Sequence, residues 1–81
     1  MTITVRLFAQ LREQFGYSSS TMDLPVGTTV SQVFSRLGEI KPAAQSLLAK
    51  SLPAIAAEYT SRDCVLRDGQ ELAIVPPVSG G

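Results

Sequence analysis

The sequence predicts an α+β domain: one mixed sheet of about four to five strands, packed on one main helix with short extra helical turns. Three observations predict it. At the start, Ile3, Val5 and Leu7 alternate with Thr2, Thr4 and Arg6, the period of a half-buried strand. Near the end, Leu72 and Ile74 alternate with Glu71, Ala73 and Val75 in the same way. Between them, Val30, Val33, Phe34 and Leu37 fall at i, i+3, i+4 and i+7, one apolar helical stripe. The simplest packing lays the two terminal strands side by side and parallel in the sheet centre. The first strand then ends near the point where the last releases the tail.

The elements follow in order. After the first strand, Ala9 to Phe15 is a run of helix formers closed by Gly16, with Leu11 and Phe15 four apart on one face. Ser19 to Leu24 is a weaker strand with Met22 and Leu24 on its apolar side, ended by Pro25-Val26-Gly27. Thr29 with Gln32 three residues on forms a capping box for the main helix, and Gly38 is its expected stop. Pro42 opens a second short helix with Ala43, Ala44, Leu47 and Leu48 inward, and Pro53 closes that region. Ala54 to Thr60 is the third strand, less clean because Ala is a poor strand former. Asp68-Gly69 is a tight turn into the final strand, Glu71 to Val75.

The 81 residues make one domain, residues 1–75, followed by an extended tail, residues 76–81. Seven basic and seven acidic side chains cancel, and the bases are scattered. That argues against nucleic acid or an anionic membrane as partner. The longest apolar stretch, Leu47 to Ala57, is broken by Lys50 and Pro53 and is too short to span a bilayer. Met1-Thr2-Ile3 leads directly into a strand, so no signal peptide is expected. Cys64 is the only cysteine, so no internal disulfide forms and a cytoplasmic location is expected. Histidine is absent, which removes histidine bases, Ser-His and Cys-His nucleophile pairs and histidine metal ligands. No metal site is expected. Cys64 sits between Asp63 and Val65, with no activating cation beside it, and reads as an inert thiol.

Pro76-Pro77-Val78-Ser79-Gly80-Gly81 closes the sequence. The prolines fix φ and remove two donors, ending the strand and stiffening the exit. Gly80 and Gly81 give a tip without side chains, which a narrow channel in another protein admits. The reactive group is then the α-carboxylate of Gly81. A frayed, functionless terminus is the competing reading, and the ordered exit weighs against it. Strand alternation also turns Phe8, Ala73 and Val75 outward. Phe8 and Val75 lie at the tail end of adjacent strands and suit a partner interface; incidental exposure is the alternative.

Three segments together resemble the small, sulfur-carrying subunit of molybdopterin synthase over essentially the whole chain. They are Phe8-Ala9-Gln10-Leu11-Arg12-Glu13, Leu66-Arg67-Asp68-Gly69-Gln70-Glu71-Leu72-Ala73, and the closing Pro76 to Gly81. The resemblance implies the β-grasp fold of ubiquitin. Two departures stand out. The family often has Asn near the end of the third strand, where this chain reads Ala54-Ile55-Ala56-Ala57-Glu58, and often Asp where Gln70 stands.

The resemblance also implies a mechanism and partners. An adenylating enzyme uses ATP and Mg²⁺ to activate the Gly81 carboxylate, and a persulfide donor protein then leaves a thiocarboxylate there. The tail next enters the large synthase subunit, in an expected heterotetramer, and sulfur passes to the cyclic pyranopterin precursor. The chain itself supplies no catalytic group and holds no permanent cofactor. Three alternatives stay open on the residues. One is a ubiquitin-like carrier for thiazole, cysteine or tRNA thiolation. Another is a protein modifier joined to lysine through Gly81. The last is an interaction module with an idle tail.

Overall fold

The computed structural model describes residues 1–77. The chain runs β1 (Thr2–Leu7), α1 (Ala9–Phe15), β2 (Ser19–Asp23), α2 (Val30–Ile40), a 3₁₀ turn (Pro42–Ala44), α3 (Gln45–Lys50), β3 (Leu52–Ile55), β4 (Glu58–Tyr59) and β5 (Glu71–Val75). The five strands form one sheet in the order β2-β1-β5-β3-β4. β1 and β5 are central and parallel, with Val5 beside Leu72 and Leu7 beside Ile74. The other neighbours are antiparallel. A mixed sheet carrying one main helix between its terminal strands is the β-grasp arrangement.

The core follows from the two periodicities. Ile3, Val5 and Leu7 of β1 and Leu72 and Ile74 of β5 are buried against Val30, Val33, Phe34 and Leu37 of α2. Leu11, Leu24, Ala44, Leu48 and Leu66 complete the cluster. The N-terminus of α2 is fastened by the capping box. The Gln32 N–H donates to Thr29 Oγ1 at 3.3 Å, and the Thr29 N–H donates to Gln32 Oε1 at 2.8 Å. Such a cap is worth about 1 kcal/mol. At the other end of the core, the turn at Asp68-Gly69 ties back to β1. Thr2 donates to Asp68 Oδ1 at 2.7 Å, and Gly69, at φ 82°, donates to the Thr2 carbonyl at 2.8 Å.

Four expectations change. Gly38 does not stop α2, which continues to Ile40. Gly38 is buried, and a Cβ there would lie 3.1 Å from Gln45 Cγ. The glycine lets α3 approach, and Gln45 Nε2 donates to the Gly38 carbonyl at 3.0 Å. Ala43 is exposed rather than inward, because the segment opens as a 3₁₀ turn that buries only Ala44.

Pro53 does not close the helical region. It lies inside β3, buried and opposite Ile74. Its backbone faces β4, where its carbonyl accepts from Thr60. The ladder bond a proline cannot make there is the return bond to Thr60, just past the end of β4, so the pairing with β5 is untouched. Finally, Ala54 to Thr60 is not one strand. Ala56 (φ 53°) and Ala57 (φ 63°) turn the chain back as a two-residue hairpin. Paired left-handed residues match the twist of a tight hairpin and are ordinarily Asn-Gly. The Asn that the family often carries near this point would suit that geometry.

Arg62 organises the loop before β5. Its Nη2 donates to the carbonyls of Leu48, Ala49 and Ser51 at 3.2, 3.2 and 2.7 Å. Its guanidinium lies 4.2 Å from the Phe34 ring centroid. A cation there satisfies the open carbonyls at the C-terminus of α3.

Candidate tail exit and docking face

β5 delivers the chain to its exit. Val75 ends the strand, Pro76 is buried and Pro77 is exposed. A proline seated in the body just beyond the strand holds the direction of departure, since its φ is fixed. Val78, Ser79, Gly80 and Gly81 lie outside the described residues.

Phe8 stands beside this exit. It is the N-cap of α1, with φ −124° and ψ 154°, so the strand direction persists through it before the helix begins. Its carbonyl accepts from Leu11 and Arg12 at 3.1 and 3.4 Å, which anchors its backbone. Ala9, at φ 49°, makes the sharp change of direction. The Phe8 side chain is 38% exposed. The Arg6 guanidinium lies 5.9 Å from its ring centroid and 3.5 Å from Glu71 Oε1. Arg6 and Glu71 are themselves about half exposed, so the pair adds little stability and mainly orients Arg6 beside the ring.

Val75 is half-buried and lies opposite Leu52 of β3. Leu52 is 53% exposed. One step down the sheet, Ala73 lies between Arg6 and Ala54, and Ala54 faces Tyr59, which is 69% exposed. The face opposite α2 therefore carries Phe8, Val75, Leu52, Ala54, Ala73 and Tyr59 in one region at the tail end. Leu52, Ala54 and Tyr59 escaped the sequence reading. Treating Pro53 as a strand residue, with Leu52 and Ala54 alternating against it, would have found the first two.

Cys64 is elsewhere, in the loop between β4 and β5. It is half-buried against the core, and its carbonyl accepts from Val30. Among the described residues, no three His, Cys, Asp or Glu side chains gather in a way that would hold a metal ion. The basic side chains sit apart from any glycine-rich loop of the kind that cradles phosphates. Among the described residues, no helix is long and apolar enough to cross a membrane.

The model of the ThiS family matches residues 5–81. A molybdopterin synthase sulfur carrier subunit from Dictyostelium discoideum is 40% identical over 80 residues, covering 95% of this chain and 93% of that protein. One from Chlamydomonas reinhardtii is 34% identical over 83 residues and covers both chains fully. Among solved structures, SAMP1 from Haloferax volcanii superposes with a TM-score of 0.85 at 28% identity, with both chains covered fully. By this sequence match, and by the β-grasp sheet that sets Phe8 and Val75 beside the exit, the chain belongs to the ThiS family and to the molybdopterin synthase sulfur carrier subunits within it.

Proposed function

We propose that this protein carries sulfur on the C-terminal carboxylate of Gly81 and delivers it inside a molybdopterin synthase. The observation that carries the reading is the parallel pairing of β1 and β5. It brings Phe8 and Val75 together at the place where Pro76 and Pro77 lead the chain away from the body. A docked partner then meets Pro76 and Pro77 beside its contact surface.

The chemistry follows from the terminus. A carboxylate is a poor electrophile, because it is negatively charged and its leaving group is oxide. Adenylation by a partner enzyme, which brings ATP and Mg²⁺, replaces that leaving group with AMP. A persulfide donor's terminal sulfur then attacks the activated carbonyl and expels AMP. A second thiol cleaves the S–S bond of the resulting acyl disulfide, leaving a disulfide behind and Gly81 as a thiocarboxylate. The large subunit takes in the tail and passes the sulfur to the pyranopterin precursor. Two such transfers make the dithiolene. Gly80 and Gly81 suit this route because both partner enzymes must close around the same backbone, where any Cβ risks a clash.

In this scheme the chain contributes positioning, and its partners contribute acid-base chemistry. Phe8 and Val75 form the centre of the surface on which each partner docks, with Leu52 beside them. The working assembly is a heterotetramer with the large subunit. A single cysteine and the thiol chemistry of the donors suit the reducing cytoplasm.

Deleting Gly81 tests the reading. The shortened chain is expected to lose sulfur transfer completely while keeping its denaturation midpoint. A large loss of stability would make the tail a structural element instead.

A further inference from the structure

β2 is an open edge of the sheet. The N–H of Leu7 donates to Ser18 O at 2.9 Å, and that of Leu24 donates to Met1 O at 2.8 Å. With Val5 opposite Ser20 and Ile3 opposite Met22, these bonds turn the backbone of Ser18, Ser20, Met22 and Leu24 toward β1. The N–H and C=O groups of Ser19, Thr21 and Asp23 therefore point away from the sheet. The edge is five residues long and holds neither Lys nor Pro, the usual blocks against strand addition.

A groove runs along this edge on the helix side of the sheet, opposite the docking face. It encloses about 310 Å³ between β2 and α2, and Tyr17, Met22, Leu37 and Ile40 supply its apolar lining. Ile40 is 60% exposed at the end of α2. Arg36 lines the same groove. Among the described residues the ion pair is Arg6 with Glu71, and Arg36 meets no carboxylate. The Asp23 carboxylate is turned to the other face of the sheet, where the Thr2 hydroxyl donates to Asp23 Oδ1 at 2.7 Å.

We propose that the β2 edge binds an extended segment of a partner protein as an added strand, its alternate apolar side chains entering the groove and an acidic one meeting Arg36. Backbone pairing supplies affinity in such strand addition, and the pockets for alternate side chains supply selectivity. The charge at Arg36 sets the acidic requirement. A second copy of this chain is a poor occupant. Its own β2 would present Ser20 and Met22 to the groove but would carry Asp23 on the opposite face. The site lies on the other side of the sheet from Phe8 and Val75, so it works with the tail engaged or free and does not depend on the sulfur chemistry.

The probe is the labelled heptapeptide acetyl-Asp-Thr-Ile-Thr-Val-Thr-Asp-amide, which offers Asp, Ile, Val and Asp on one face in either direction. Full-length protein is titrated by fluorescence anisotropy, and amide shifts are mapped by NMR. Saturable binding is expected, with the largest shifts at the Ser19, Thr21 and Asp23 amides. Arg36→Glu, on the exposed side of α2, should weaken it about tenfold or more. Thr21→Pro removes an outward donor that β1 does not use and should weaken it similarly. Denaturation midpoints near wild type show that both variants fold. Absence of saturation at millimolar peptide overturns the proposal, as do shifts confined to Phe8 and Val75 or affinity unchanged in Arg36→Glu. So does self-association that Thr21→Pro abolishes, which would make a second copy the occupant.

Discussion

Replacing Ala57 by Gly is expected to stabilise this protein, although glycine ordinarily weakens a fold. Ala57 sits at φ 63° and its neighbour Ala56 at φ 53°, so the tip of the β3–β4 hairpin is built from two left-handed alanines. The left-handed region costs an L-residue roughly 1–2 kcal/mol through the clash of Cβ with the following carbonyl. Glycine removes that clash but gives back about 0.5–1 kcal/mol in lost unfolded-state freedom. The net gain is about 0.5–1 kcal/mol. Adding Ala56→Asn, which tolerates the same region, should bring the pair to about 1–2 kcal/mol. A domain of this size gains about 4–8 °C in Tm per kcal/mol. Urea denaturation gives the free energy, and an unchanged m-value keeps the comparison to stability alone. Ala49→Gly, in right-handed α3, is the control and should lose about 0.5–1 kcal/mol. If Ala57→Gly loses stability as the control does, the tip is not left-handed and the strain argument fails. The hairpin bears on the proposed function because β3 carries Leu52 and Ala54 on the face proposed for docking.

Phe8→Ala should weaken binding to the large subunit by more than about 1 kcal/mol, the level of an anchor residue. Its cost to the isolated protein should stay below the ~3–5 kcal/mol of a fully buried Phe→Ala change, because the ring is partly exposed. Calorimetric titration and chemical denaturation read the two effects, and unchanged affinity with severe destabilisation would make Phe8 a core residue. Cys64→Ser should still accept sulfur when given the adenylating enzyme, ATP and a sulfur source. A folded variant that accepts none would move the carrier role from Gly81 to Cys64.

The sheet centre and main helix were legible because both rest on long, regular patterns. Alternation in β1 and β5 and the stripe from Val30 to Leu37 left few ways to bury their apolar faces together. Thr29 and Gln32 marked the helix start for the same reason, since their side chains bond to adjacent backbone. The region from Gly38 to Thr60 was harder. Gly38 and Pro53 look like breakers in isolation, yet one admits Gln45 to a close helix contact and the other turns its missing donor away from β5, toward the end of β4. Tertiary placement decides such residues, and their local propensity points the other way. The hairpin at Ala56-Ala57 carries no Asn or Gly, so its turn had no signal. The apolar face near the tail was only half legible for this reason. Phe8 and Val75 follow from alternation in clean strands, while Leu52, Ala54 and Tyr59 depend on the hidden hairpin.

The central claim is that Gly81 carries sulfur, and intact mass spectrometry tests it most directly. Purified protein is incubated with the adenylating enzyme, ATP, Mg²⁺, a persulfide donor and a reducing thiol, and the C-terminal peptide is then fragmented. The account predicts a gain equal to sulfur replacing one oxygen, located on Gly81 and absent when ATP is withheld. An unchanged mass, or a sulfur adduct located on Cys64, would contradict it.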